Sequence, residues 1–188
     1  MANKDAAFGL RAIGKVGQNR DNQGLSEYSI AASSTAIYQN DPVKTSGGYL
    51  VVAGAGGDLR GALTGVFFTD ASTSKPTYAN HLKASNTATD IVGFVVDDPY
   101  ERFEIQSNNA GASAVTDVGK TADLAYTAGS SPNFISKVEF NDGGLNTTAQ
   151  QLKIMGFSKD PDNNDVTSAN VNLVVVIAEH ELKVTTGT

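Results

Sequence analysis

The 188-residue chain contains no cysteine, which excludes disulfides, thiolate metal sites and cysteine nucleophiles together. It also lacks any apolar run near the ~18 residues a membrane-spanning helix needs. Its strongest unbroken run, Leu173 to Ala178, is far too short. Met1-Ala-Asn-Lys-Asp5 opens the chain without the apolar core of a signal peptide. The expectation is a soluble protein made in a cytoplasm, with no membrane partner.

Positive charge is scarce as well. Fourteen Lys and Arg stand against 20 Asp and Glu, for a net charge of −6 and a pI of about 4.8. Nucleic-acid binding relies on clustered cations that release counterions, so no nucleic acid is expected as a partner. Arg11, Lys15 and Arg20 form the nearest grouping, read as solvated charge on an arm. Charged residues make up only 18%, below the ~25% usual for soluble domains.

What fills the chain instead is Gly, Ala, Ser, Thr, Asn and Asp. Such residues favour many short connections between strands. Tyr28 and Ile30 alternate with Ser29, and Tyr49 to Val52 lies between glycine pairs. Ala62 to Thr69 is β-branched and aromatic, and Ile91 to Val96 reads as a strand apolar on both faces. Over Arg102 to Gln106, Phe103 and Ile105 share one face while Arg102, Glu104 and Gln106 share the other. Further strand candidates are Ala122 to Tyr126, Ile135 to Phe140, Gln151 to Phe157 and Asn172 to Glu179.

No window carries a sustained helical stripe, with a short helix near Asn80 to Ala84 the one candidate. About eight to ten short strands imply an all-β single domain, a β-barrel or β-sandwich. That domain is expected over residues 25–182, preceded by an extended N-terminal arm over 1–24 and followed by a polar tail over 183–188. The first 24 residues are polar and glycine-bearing, with isolated apolar Phe8, Leu10, Ile13 and Val16. Alone they bury too little surface to offset their ordering entropy. They are either a loose tail or an arm that orders against a neighbouring subunit.

Motifs that could carry chemistry are weak. Gly54-Ala55-Gly56-Gly57 follows a strand, but Leu59 stands where a dinucleotide loop needs its third glycine. Asp160, Asp162 and Asn164 match the first ligands of a calcium loop, yet Asp165 replaces its glycine and Val171 its closing Glu. An Asx-rich turn is the expected structure there. Asp97, Asp98, Glu101 and Glu104 place four carboxylates within eight residues, and their position beside Pro99 fits a solvated turn. His81 and His180 have no histidine partner at ligand spacing, and no Gly-x-Ser-x-Gly supplies a nucleophile. Neither a cofactor nor catalysis is expected.

Two blocks carry a likeness: TATDIVGFVVDDPYERFEIQS over 87–107 and QLKIMGFSKDPDNNDVTSANVNLVVVIAEHEL over 151–182. With the opening MANKDAAFGLRAIGKVGQNRDNQGLSEYSIAASSTAIYQNDPV, they resemble small virion structural proteins of tailed bacteriophages, similar to capsid decoration (cement) proteins. Asp97-Asp98-Pro99, Phe103 to Gln106 and Glu179-His180 are the most specific parts; 107–146 carries little signal. The resemblance implies a β-rich subunit on the outer surface of the head, made in the bacterial host cytoplasm. It further implies that the subunit is homotrimeric and locks capsomers of the major capsid protein together. Phe8, Leu10, Arg11 and Ile13 are the expected contacts with the capsid or a neighbouring subunit. A head-fibre base or a host- or glycan-binding surface module is the alternative, for which exposed Tyr78 and Tyr100 are candidates.

Overall fold

Alternating apolar and polar residues separated by Gly, Asn and Asp turns produce strands, and strands are what the chain forms. A computed structural model describes residues 2–17, 24–108 and 113–183. In chain order the strands begin with β1 (Arg11–Lys15), β2 (Ser26–Ser29), β3 (Pro42–Ser46), β4 (Tyr49–Val52), β5 (Gly61–Thr69) and β6 (Pro76–Ala79). They continue with β7 (Val92–Val96), β8 (Glu101–Gln106), β9 (Thr121–Ala122), β10 (Leu124–Ala125), β11 (Glu139–Phe140), β12 (Leu152–Phe157) and β13 (Asn172–Ile177). Two short 3-10 turns, Val115–Asp117 and Asp142–Gly144, are the helical elements among the described residues.

The strands form two main antiparallel sheets. One, here sheet A, has the order β1-β8-β13-β12-β9; the other, sheet B, has the order β2-β7-β5-β3-β4, with β6 also on β5. β10 and β11 make a separate small ribbon. Neither main sheet closes into a barrel, so the all-β fold is sandwich-like. β5 is long enough to take β7 along one edge and both β3 and β6 along the other.

Each sheet has its own apolar cluster. Phe103, Ile105, Leu152, Ile154, Leu173 and Val175 fill the inner side of sheet A, capped by Leu124 and Phe140 of the ribbon. Leu63, Val66, Val95 and Ile91 fill the inner side of sheet B, with Ile37, Leu50 and Leu82 against them. The bulge between Leu63 and Gly65 restores Val66 to the face of Leu63, which strict alternation would deny it. Ala62, and Val96 opposite it, turn the other way and pack on the cluster of sheet A, joining the two halves.

Two expectations change here. No helix forms near residue 80, because Ile37 and Leu82 exchange both backbone hydrogen bonds, at 3.0 and 2.8 Å. That segment satisfies its amides across to another stretch of chain rather than along itself. The larger change concerns the N-terminal segment, which over residues 2–17 packs on its own chain and contributes a strand and a core residue to the domain. β1 pairs with β8, Leu10 is fully buried, and the Ala6 amide donates to the Gln106 side chain at 2.9 Å. Asn3 reaches the carbonyls of Asp165 and Ala169 at 2.9 and 2.8 Å.

Ordering entropy is therefore offset within the chain: burying one Leu is worth about 1.5–3 kcal/mol, and a strand ladder adds to it. Gly9 makes the approach feasible. Its φ is +73°, and a Cβ there would lie 2.4 Å from the Asn40 carbonyl oxygen. Residues 18–23 of the expected arm, Arg20 among them, lie outside the described residues. Of the C-terminal tail only Lys183 is described, its ammonium donating to the Ile177 carbonyl at 3.1 Å.

Candidate functional site

The four clustered carboxylates end up as struts rather than as a solvated turn. Asp97 accepts from the Ser26 hydroxyl at 2.8 Å and from the Tyr28 phenol, to which Arg60 also donates at 2.8 Å. Asp98 pairs with Lys15 at 2.9 Å and accepts the Tyr100 amide at 2.8 Å. Glu101 accepts the Gly14 amide at 2.8 Å, and burial pushes its carboxyl above the usual range. Glu104 is buried under Arg11, which bonds it at 3.1 Å through Nε. The cluster ties the end of β1 and the start of β2 to the β7–β8 turn.

The other motifs are engaged in structure in the same way. Asp162 meets Lys4 at 2.5 Å, and the buried Asn163 amide donates to the carbonyls of Lys4 and Asn170, each at 2.7 Å. The 160–165 loop is thus the Asx-rich turn expected, folded around the N-terminal segment. The glycine turn after β4 presents the carbonyls of Gly54 and Gly57 to Gln151 Nε2, at 2.9 and 3.1 Å. His81 stacks on Phe134 with ring centroids 3.9 Å apart and lies parallel to the Tyr38 ring at 6.3 Å. His180 is fully buried, its Nδ1 accepting the Leu182 amide at 3.0 Å; burial, then the Lys183 ammonium, holds its pKa down at about 4.

The four expected contact residues separate. Leu10 belongs to the core of its own sheet and does not face outward, whereas Arg11, about half exposed, is bonded to Glu104. The physical reason is that β8 offers both a ladder and an acid directly opposite Arg11. Phe8 is half-buried with the Arg11 guanidinium 4.5 Å above its ring. Ile13 remains 46% exposed, at the bulge of β1.

Ile13 stands on the wall of a cleft of about 670 Å³ between β1 and the start of β2. Leu25 and Leu182, 43% and 51% exposed, stand on the same walls, while Asp97, Asp98 and Glu101 form its polar side. Sequence reading missed Leu25 and Leu182 because they are isolated apolar residues in polar stretches, some 157 positions apart in number. Nothing local in the sequence brings them together.

Among the described residues, two sheet faces are also open. On sheet A the cross-strand register lines up Arg102, Val176 and Lys153 in one row and Arg11, Glu104 and Val174 in the next. Met155, 44% exposed at the β12 bulge, adds to it. On sheet B the register lines up Ser29, Val92, Phe67 and Tyr78, beside Glu27 and Phe94. Tyr78 is 65% exposed and its ring lies 5.8 Å from that of Phe94.

Against family models, curated proteins and solved structures, the chain shows no match.

Proposed function

We propose that this chain is a structural protein of a tailed-phage virion, a decoration (cement) subunit that acts by contact and not by catalysis. It binds the outer surface of the head, bridges copies of the major capsid protein and stabilises capsomer contacts, as a homotrimer. Sequence likeness supplies the class. The observation that carries the contact role is the cleft between β1 and β2: three exposed aliphatic side chains line it, and its carboxylates are already bonded within the chain. These acids hold strands: Asp97 is bonded to Ser26 and Tyr28, Asp98 to Lys15, and Glu101 to the Gly14 amide. Exposed aliphatics gathered at one place mark an interaction surface.

The test is a map of the virion encoding this chain, joined to a binding assay on heads stripped of it. The purified chain is expected to re-bind such heads at a copy number comparable to the major capsid protein. Ile13→Asp with Leu182→Asp should weaken that binding about tenfold or more. Density confined to portal, tail or fibres, or undiminished binding by the double variant, would sink the reading. The aromatic row of sheet B favours a second reading, a head-fibre base or glycan-contacting module, since exposed rings stack well on apolar sugar faces.

A further inference from the structure

We infer that the chain associates head to tail with itself, the open face of sheet A receiving the open face of sheet B of a second copy. The two faces differ in charge. On sheet A, Arg11, Arg102 and Lys153 stand against the single acid Glu104, which Arg11 already covers. Arg102 and Lys153 thus flank Val176 as exposed cations in a chain whose net charge is −6. On sheet B, Glu27 is exposed beside Phe94, with Asp90 at the start of the strand and Lys75 as the neighbouring cation.

The apolar parts match as well. Val174, Val176 and Met155 form an aliphatic stripe, bordered by a groove of about 510 Å³ that Phe157 and Val16 help to line. Phe67, Tyr78 and Phe94 form an aromatic one, in which Tyr78 is 65% exposed and lies across Gly65 beside Phe94, from where its ring can swing out towards such a groove. An aromatic anchor in a pocket with opposite charges at its rim is the usual anatomy of a protein interface. Charge complementarity is what selects the occupant: the cationic face needs an acidic partner surface with apolar content, and the chain carries one.

Because the two patches are different, the contact is heterologous, and repeating it builds a ring when the rotation closes. The groove on sheet A shares Lys15 with the β1–β2 cleft, but Met155, Lys153, Tyr78 and Glu27, the residues tested below, lie outside that cleft. Self-association is measured without heads, so head binding and this inference fail independently; a monomer would remove only the homotrimer from the proposal above.

Sedimentation velocity on the purified full chain is expected to show an oligomer that weakens as salt is raised. Met155→Asp blocks the face of sheet A, and Tyr78→Asp blocks that of sheet B. Each variant alone should sediment as a monomer. Mixed together they should give a dimer and nothing larger, because one intact face of each kind remains. Lys153→Glu and Glu27→Lys form a second, charge-only pair at exposed positions, expected to weaken assembly about tenfold and to recover in the mixture. A parent chain that stays monomeric at low salt overturns the inference, as does an oligomer unmoved by either variant. So does a monomer whose Tyr78 ring signals shift on adding soluble oligosaccharides, which would assign the aromatic face to sugars.

Discussion

Sheet B is assembled from one stretch of chain, residues 26–96, whereas sheet A gathers strands from residue 11 to residue 177. β1 and β13 come from opposite ends of the sequence and flank β8 on its two sides. Closing longer loops costs more entropy, though only logarithmically, so sheet A must draw on stronger local contacts. It does so with buried polar clamps as well as apolar packing. Gln106 takes the Ala6 amide and gives a hydrogen bond of 2.8 Å to the Lys4 carbonyl, and Gln151 grips the glycine turn. Sheet B holds its cluster mainly by aliphatic packing and leaves an aromatic face outside. The lesson is that the terminal segment completes sheet A, while sheet B stands largely without it.

The largest expected effect tests that division. Leu10→Ala removes a fully buried side chain from the sheet A cluster and should destabilise the protein by about 2–5 kcal/mol in denaturant unfolding. Native-state hydrogen exchange should then show the amides of β1 and β8 losing protection before those of β5 and β7. Equal loss in both sheets would break the comparison, making the chain one cooperative unit.

A smaller effect separates the two halves by pH. Asp41, just before β3, is fully buried, and burial pushes its pKa up to about 6, with the Ser136 hydroxyl and the Tyr38 amide pulling part of the way back. Its carboxyl takes up a proton in the folded chain before it does in the unfolded one. Its stabilisation is therefore full below the reference value of 3.8 and is lost as pH rises through about 6. His180, next to β13, behaves oppositely: it stays neutral when folded, so its stabilisation holds above 6.5 and is lost as pH falls through about 4. Between these limits the two offset each other. Asp41→Asn should expose the histidine, with the thermal midpoint falling steadily from pH 6.5 to 4. His180→Gln should do the reverse, the midpoint rising as acid is added. Parallel curves for parent and both variants would show that neither group is coupled to folding.

Much of this fold was legible because strands announce themselves by alternation. β4, β5, β7, β8, β12 and β13 lie where Tyr49 to Val52, Ala62 to Thr69, Ile91 to Val96 and the later runs place them. β1 and β6 were not legible. Gly14 interrupts the first, and Pro76 with a Ser- and Thr-rich approach disguises the second. Both are recruited by a neighbour's ladder, a tertiary effect that propensity does not encode. The cleft residues Ile13, Leu25 and Leu182 show the same limit: one of the three was singled out from sequence, and the register and sheet order supply the others. Gln106 and Glu104, on the face that alternation assigned to water, are buried by different partners: Gln106 by its bonds to Lys4 and Ala6, Glu104 by Arg11 opposite it on β1.

The smallest effect contrasts two glycines, one in each half. A Cβ on Gly9 meets the Asn40 carbonyl oxygen at 2.4 Å and Ser136 Cβ at 2.5 Å, so backbone would have to move. A Cβ on Gly65, in β5, first meets the Tyr78 hydroxyl at 2.5 Å, the far end of a side chain lying across it, and then the Ala79 carbonyl oxygen at 3.0 Å. On the open face of sheet B that ring can swing into solvent, whereas Asn40 is held by bonds to the Leu10 amide and the Leu63 carbonyl. Gly65→Ala also gains by restricting the unfolded chain, which offsets part of the ring packing given up, about 0.5–1.5 kcal/mol. The expected stability change is therefore below about 1 kcal/mol, and the cross-peaks between the Tyr78 and Phe94 rings should vanish from an NMR spectrum. Gly9→Ala, at positive φ and against backbone, should cost several times more. If Gly65→Ala proved the costlier of the two, the outer face of sheet B would be as rigidly packed as the seam that the N-terminal segment makes with Asn40 and Ser136.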